Sequence, residues 1–190
     1  MAAMPAPTKL NQKEILLQAL TIVERSGISS LSMRTLAEAL GVRAPSLYRH
    51  YPDRPALEAA MIEVGLSRLL QALQNAAGPL KPSAAFEAAG QAYLSFARSN
   101  ANLYELLMGT RLTYPPGDSV GRDLWKFVLA LISSVSGEPD DTSRAVAFWS
   151  FLHGFAELER AGQFGKSGPQ LGFEVGLSAL LTGFRKRAKS

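Results

Sequence analysis

Apolar positions recur at helical spacing along the chain and nowhere alternate as a strand would, which predicts an all-α protein. Ile15, Leu16, Ala19, Leu20 and Val23 make one stripe over residues 11–26, ended by Gly27, with Ile28 and Leu31 closing a small apolar centre. Two short helices follow over 32–51. Ser32 caps the first, and Leu36, Ala37 and Leu40 fall on one of its faces. Gly41 supplies a left-handed turn, and Val42 is an apolar plug. Pro45 stands in the first turn of the second helix, from which Leu47 and Tyr51 point back to the core. Asp53 caps a connecting helix that runs to about residue 76. After the break at 78–82, helices are predicted over 83–99, 102–110, 120–135, 141–161 and 170–187. Asp118 or Ser119 caps the third of these five, after the loop holding Pro115-Pro116-Gly117. Residues 1–10 read as a loose arm in which Lys9 is a candidate phosphate contact.

A length of 190 residues allows one or two helical units, and 47% hydrophobic content makes them globular rather than disordered. A net charge of +4 suits a polyanionic partner but is too mild to establish one. There is no cysteine, so disulfides, thiolate metal sites and thiolate nucleophiles are excluded. No Gly-rich phosphate loop occurs, and no Ser is paired by motif with a base and a carboxylate, so an enzyme is not expected. His153 and Glu157 have i,i+4 spacing, but the second histidine, His50, stands far away, and neither metal nor cofactor is expected. No run approaches the about 18–20 apolar residues of a membrane span and no signal peptide is visible, so a cytoplasmic location is expected. The basic 185–189 segment reads as a solvated tail rather than a membrane-surface anchor.

The stretch 32–51 carries the chemistry. Its second helix turns Ser46, Tyr48, Arg49 and His50 outward, a set of hydroxyls, guanidinium and imidazole suited to phosphates and base edges. Spacing alone leaves two readings: a helix-turn-helix, or a helical hairpin with a polar wet side. At residues 12–61 the chain resembles the DNA-binding domain of TetR-type transcriptional regulators, through Ser32, Leu36, Ala37, Gly41, Val42, Leu47, Tyr48, His50, Tyr51 and Leu57. The resemblance implies about nine helices: an N-terminal DNA-binding domain over 1–54 and a C-terminal regulatory and dimerisation domain over 55–190. It implies further that the second short helix enters a major groove of an operator that is palindromic in the sense that a two-fold pair reads two half-sites. In that setting Ser46, Tyr48 and Arg54 bind phosphates, Ala44, Pro45 and Arg49 lie nearest the base edges, and Arg34 serves either. Arg43 departs from the usual Ser and cannot cap the recognition helix, which leaves Ala44 as a weak cap and Arg43 available to DNA.

The last two helices carry apolar residues on more than one face. Ala145, Phe148, Trp149, Leu152, Phe155 and Ala156 form one stripe, with Phe151 and Leu158 off it, while Gly176, Ala179 and Gly183 allow close approach. Either both helices sit in the subunit core, or they pair across a two-fold axis as a four-helix interface. Trp149, His153 and Gly154 also match the Trp-His-Gly signature of a TetR C-terminal subgroup, in which these helices dimerise. Phe86, Tyr93, Phe96, Tyr104, Met108, Leu112, Trp125, Leu129, Trp149 and His153 are candidates to line a cavity for a small apolar or aromatic ligand. The expected protein is a homodimeric repressor released from its operator by an effector. A transcriptional activator, or a helical small-molecule-binding module without DNA binding, is the alternative.

Overall fold

In a computed structural model of the protein, described over residues 10–109 and 119–185, nine α-helices follow one another without a strand among the described residues. They are α1 (Gln12–Ser26), α2 (Met33–Ala39), α3 (Ala44–Leu47), α4 (Arg54–Ala77), α5 (Pro82–Ser99), α6 (Ala101–Gly109), α7 (Val120–Ser136), α8 (Thr142–Arg160) and α9 (Gly172–Phe184). Lys9, Leu112, the Pro115-Pro116-Gly117 turn and Asp118 lie outside the described residues, as do 186–190.

The helix starts follow from their caps, where a side-chain oxygen accepts a backbone N–H that the helix leaves unpaired. Asn11 accepts from Glu14 at 2.9 Å, Asp53 from Ala56 at 2.8 Å, Ser119 from Arg122 at 3.4 Å and Asp141 from Arg144 at 3.2 Å. Two boundaries differ from the sequence reading. Arg43, not Ala44, is the N-cap residue of α3, in extended backbone and without a side-chain cap bond. Helix α9 is shorter than 170–187 because Gln170 sits at φ 47° and Arg185 is extended, and neither conformation continues a helix.

The chain divides into two compact units, the first ending at Val64 and the second beginning at Gly65, both inside α4. The core of the first unit is Ile15, Ala19, Leu20 and Val23 from α1, Leu36 and Ala37 from α2, Leu47 from α3, and Leu57 and Met61 from α4. In the second unit α5 packs against α6, α7, α8 and α9. Its interior is aromatic: Phe86 meets Phe148 with ring centroids 4.5 Å apart and Phe184 at 5.9 Å, and Phe173 stacks on Phe151 at 5.4 Å. Gly176 belongs to this interior, since a Cβ there would lie 2.4 Å from the Phe151 ring. Its lack of a side chain serves the approach of α8 and α9 within one subunit. Gly183, by contrast, has no neighbour within 4 Å of a built Cβ and is exposed. No helix among the described residues is long and apolar enough to cross a membrane.

Candidate functional sites

The first site is built by the turn between α2 and α3. Ser32 Oγ accepts the Thr35 N–H at 3.0 Å, and Thr35 Oγ1 accepts the Ser32 N–H at 2.9 Å, so α2 starts from a reciprocal capping box. At its other end Gly41 takes φ +65°, the Gly41 N–H reaches the Glu38 carbonyl at 3.1 Å, and the Val42 N–H reaches that of Ala37 at 3.0 Å. This pair of bonds is a Schellman motif, and it fixes where the chain leaves α2. Leu47 is fully buried and Tyr51 nearly so, its hydroxyl donating to the Gln12 carbonyl at 3.3 Å. The Gln12 side-chain amide returns a bond to the His50 carbonyl at 3.1 Å. Anchored from below in this way, α3 and its following turn present Arg43, Pro45, Tyr48 and Arg49 to solvent, with Ala44, Ser46 and His50 half-buried.

The cations of this surface differ in what they already touch. Arg34 pairs with Glu38 at 2.9 Å on a fully wet face. Arg54 binds Glu58 at 2.6 Å and donates to the Ile28 carbonyl at 3.2 Å. Among the described residues Arg43 and Arg49 make no such contact and are exposed, so their guanidiniums can fork onto a guanine edge or a phosphate. Sequence reasoning did not foresee the bond from Arg54 to Ile28, which joins residues 26 positions apart.

The second site lies in the C-terminal unit. Tyr93 and Tyr104 are both fully buried, with their hydroxyls 3.0 Å apart, and Tyr104 Oη lies 2.9 Å from His153 Nδ1. Every hydroxyl proton has an acceptor when Tyr93 donates to Tyr104 and Tyr104 donates to a neutral His153, whose proton is then on Nε2. Trp149 closes the cluster edge-on to Tyr93 at 5.3 Å. A cavity of about 310 Å³ opens beside Tyr104, lined by Ala97, Ala101 and Ala156 together with Arg98, Glu159 and Arg160. A second, of about 110 Å³, lies between Met108 and His153, with Glu105, Glu157 and Arg160 at its edge. Tyr104, Met108 and His153 thus border these spaces. Phe86, Tyr93, Phe96 and Trp149 do not, and neither do Trp125 and Leu129, half-buried on α7.

Burial, reinforced by the Tyr104 hydroxyl, holds the Tyr93 phenol far above its ordinary range. Burial also pushes Tyr104 up to about 12, against a hydrogen bond from Tyr93 that lowers it. Unfolded phenols ionise near pH 10. The folded state favours the protonated form, so this stabilisation is complete below about pH 10 and is lost as pH rises toward 12. A spectrophotometric tyrosinate titration is expected to show late-ionising groups in the native protein that vanish on denaturation. Ionisation of all tyrosines in one early step would contradict the buried pair.

The two sites together define a class: a helix-turn-helix DNA-binding unit followed by a helical domain of a regulator. The model of the bacterial regulatory proteins of the tetR family matches residues 15–61, and that of the tetracyclin repressor-like C-terminal domain matches residues 86–180. An uncharacterized HTH-type transcriptional regulator of Mycobacterium tuberculosis is 32% identical over 162 residues, or 82% of this chain and 73% of its own length. The class A tetracycline repressor of Escherichia coli, from transposon 1721, is 38% identical over 60 residues, 32% of this chain and 28% of its own. A protein of unknown function from Rhodococcus superposes with a TM-score of 0.81 at 24% identity, covering 97% of this chain and 100% of the other. A TetR variant from Acinetobacter baumannii, solved with minocycline, has the same fold at a TM-score of 0.68 and 23% identity, over 93% of this chain and 97% of the other. The chain belongs to the TetR family of DNA-binding transcriptional regulators.

Proposed function

We propose that the protein is a homodimeric repressor that binds a palindromic operator and leaves it when a small-molecule effector enters the C-terminal unit. The observation that carries this reading is the uncovered apolar surface of α8 and α9. On α8 Val146 and Leu158 are each 48% exposed, on α9 Val175 is 66% exposed, and Leu171, the residue before α9, is 70% exposed. Ser150, Gly154, Ala179 and Gly183 leave room beside them. Apolar side chains this open on two adjacent helices are a surface for a second copy, and a two-fold pair presents two α3 helices to successive grooves about 34–36 Å apart.

Effector entry has a route to α4. A Cβ on Gly65 would lie 2.7 Å from Leu107 and 3.2 Å from Leu103, so α4 rests directly on α6, which carries Tyr104 and Glu105. A shift of α6 therefore displaces α4, one unbroken helix from Arg54 to Ala77, and an effector with different affinities for the two arrangements changes their populations.

Arg49→Ala tests the reading surface. It is expected to cost about 1–3 kcal/mol against the preferred base and to relax sequence preference at one position of each half-site in a randomised-site selection. A phosphate contact would instead weaken all sequences alike and reduce the salt slope. Operator binding and its release by candidate effectors are read by fluorescence anisotropy. An operator complex that no ligand of the C-terminal unit dissociates would refute the effector-released repressor.

A further inference from the structure

We propose that the cavity beside Tyr104 and the smaller one lined by Met108 and His153 form one site for a small lipophilic cation, whose charged head takes the place that Arg160 now holds between Glu105 and Glu157. The inference rests on the effector reading above and names the effector's chemical class. Arg160 is common to the linings of both cavities. Its guanidinium reaches Glu157 on its own helix at 2.8 Å and stands 4.0 Å from Glu105 on α6. The protein's own cation thus occupies a position bracketed by carboxylates from two helices.

Charge and exposure set the sign of the guest. Three carboxylates, Glu105, Glu157 and Glu159, face two guanidiniums, Arg98 and Arg160, around the two cavities. Arg98 is the firmer of the two, binding both oxygens of Glu159 at 2.7 Å. Arg160 is the less evenly bound, with one contact to Glu157 at 2.8 Å and its Nε at 3.3 Å from each Glu157 oxygen, and a surface pair holds weakly. A cation that displaces Arg160 finds two carboxylates already in place. An anion would have to separate Arg98 from Glu159 and would still meet the carboxylates of the rim. The remainder of the site is apolar. Ala97, Ala101 and Ala156 line the larger volume and leave it open to an apolar body.

The test uses the full-length protein and three probes that share one body: phenylbutyl-trimethylammonium, phenylbutanol and phenylbutanoate. Calorimetry is expected to rank the ammonium first and the carboxylate last. Glu157→Gln is expected to weaken the ammonium about tenfold, as the loss of one charge pair does. Arg160→Ala is expected to strengthen it, whereas a merely structural Arg160 would leave binding weaker. Ala101→Phe fills the cavity and is expected to abolish binding with the melting temperature retained. Preference for the carboxylate, no gain in Arg160→Ala, or binding of none of the three overturns the proposal. Operator release is measured separately by anisotropy. Release by a neutral or anionic compound would sink the cation class and keep the effector reading, and ammonium binding without release would do the reverse.

Discussion

Gly183→Glu is expected to convert the protein to monomers while leaving each subunit folded. Position 183 is exposed on α9, and among the described residues nothing beyond its own stretch of helix lies within 4 Å of a Cβ built there, so a side chain has room within the subunit. Across a two-fold interface the same change brings a carboxylate from each copy against an apolar surface, without a partner for either charge. Light scattering is expected to report half the mass, with unchanged helical circular dichroism. Because one head then grips one half-site, operator affinity is expected to fall by about 10²–10⁴-fold, the gain that linking two sites supplies. A dimer that survives moves the interface elsewhere. Gly176 is the contrasting position: a side chain there meets the Phe151 ring, so Gly176→Glu is expected to misfold rather than dissociate.

Leu47→Ala is expected to cost about 2–5 kcal/mol, the range for truncating a buried leucine. Leu47 is fully buried and is the residue through which α3 rests on the core of the first unit. A unit of this size has little stability to spare, so the loss is expected to melt it in advance of the C-terminal unit. Tyr48 and Arg49 then lose their fixed positions and operator binding disappears. The mass of the proposed dimer is expected to persist, since α8 and α9 are untouched. A variant that bound the operator like wild type would show that Leu47 does not position the reading surface.

Much of this was legible in the sequence because it is local. The caps at Ser32, Asp53 and Ser119, the left-handed Gly41 and the inward pair Leu47 and Tyr51 each follow from residues within one turn of their effect. What escaped was set by distant partners. Helical periodicity marks Tyr93, Tyr104 and His153 as apolar-face residues, but not that their polar atoms link in one chain across three helices. The same holds for Arg160, whose second carboxylate comes from α6, and for Gly176, whose neighbour Phe151 is on another helix. Small glycines on an apolar helix signal close approach without saying to which partner. Phe86 looks alike in sequence whether it walls a cavity or fills one, and here it is packed between Phe148 and Phe184.

The junction of α5 and α6 has a mechanical consequence. Asn100 alone separates the two helices, at φ −126° and ψ 43°, and its side-chain amide ties back to the Phe96 carbonyl at 3.0 Å. Compliance is thereby concentrated in one residue's torsions, while the helices on either side stay rigid. A nine-residue lever joined to α5 through one residue can change its tilt there without melting a turn of either helix. Guests of quite different outline, pressing on different points of that lever, would then deliver the same displacement.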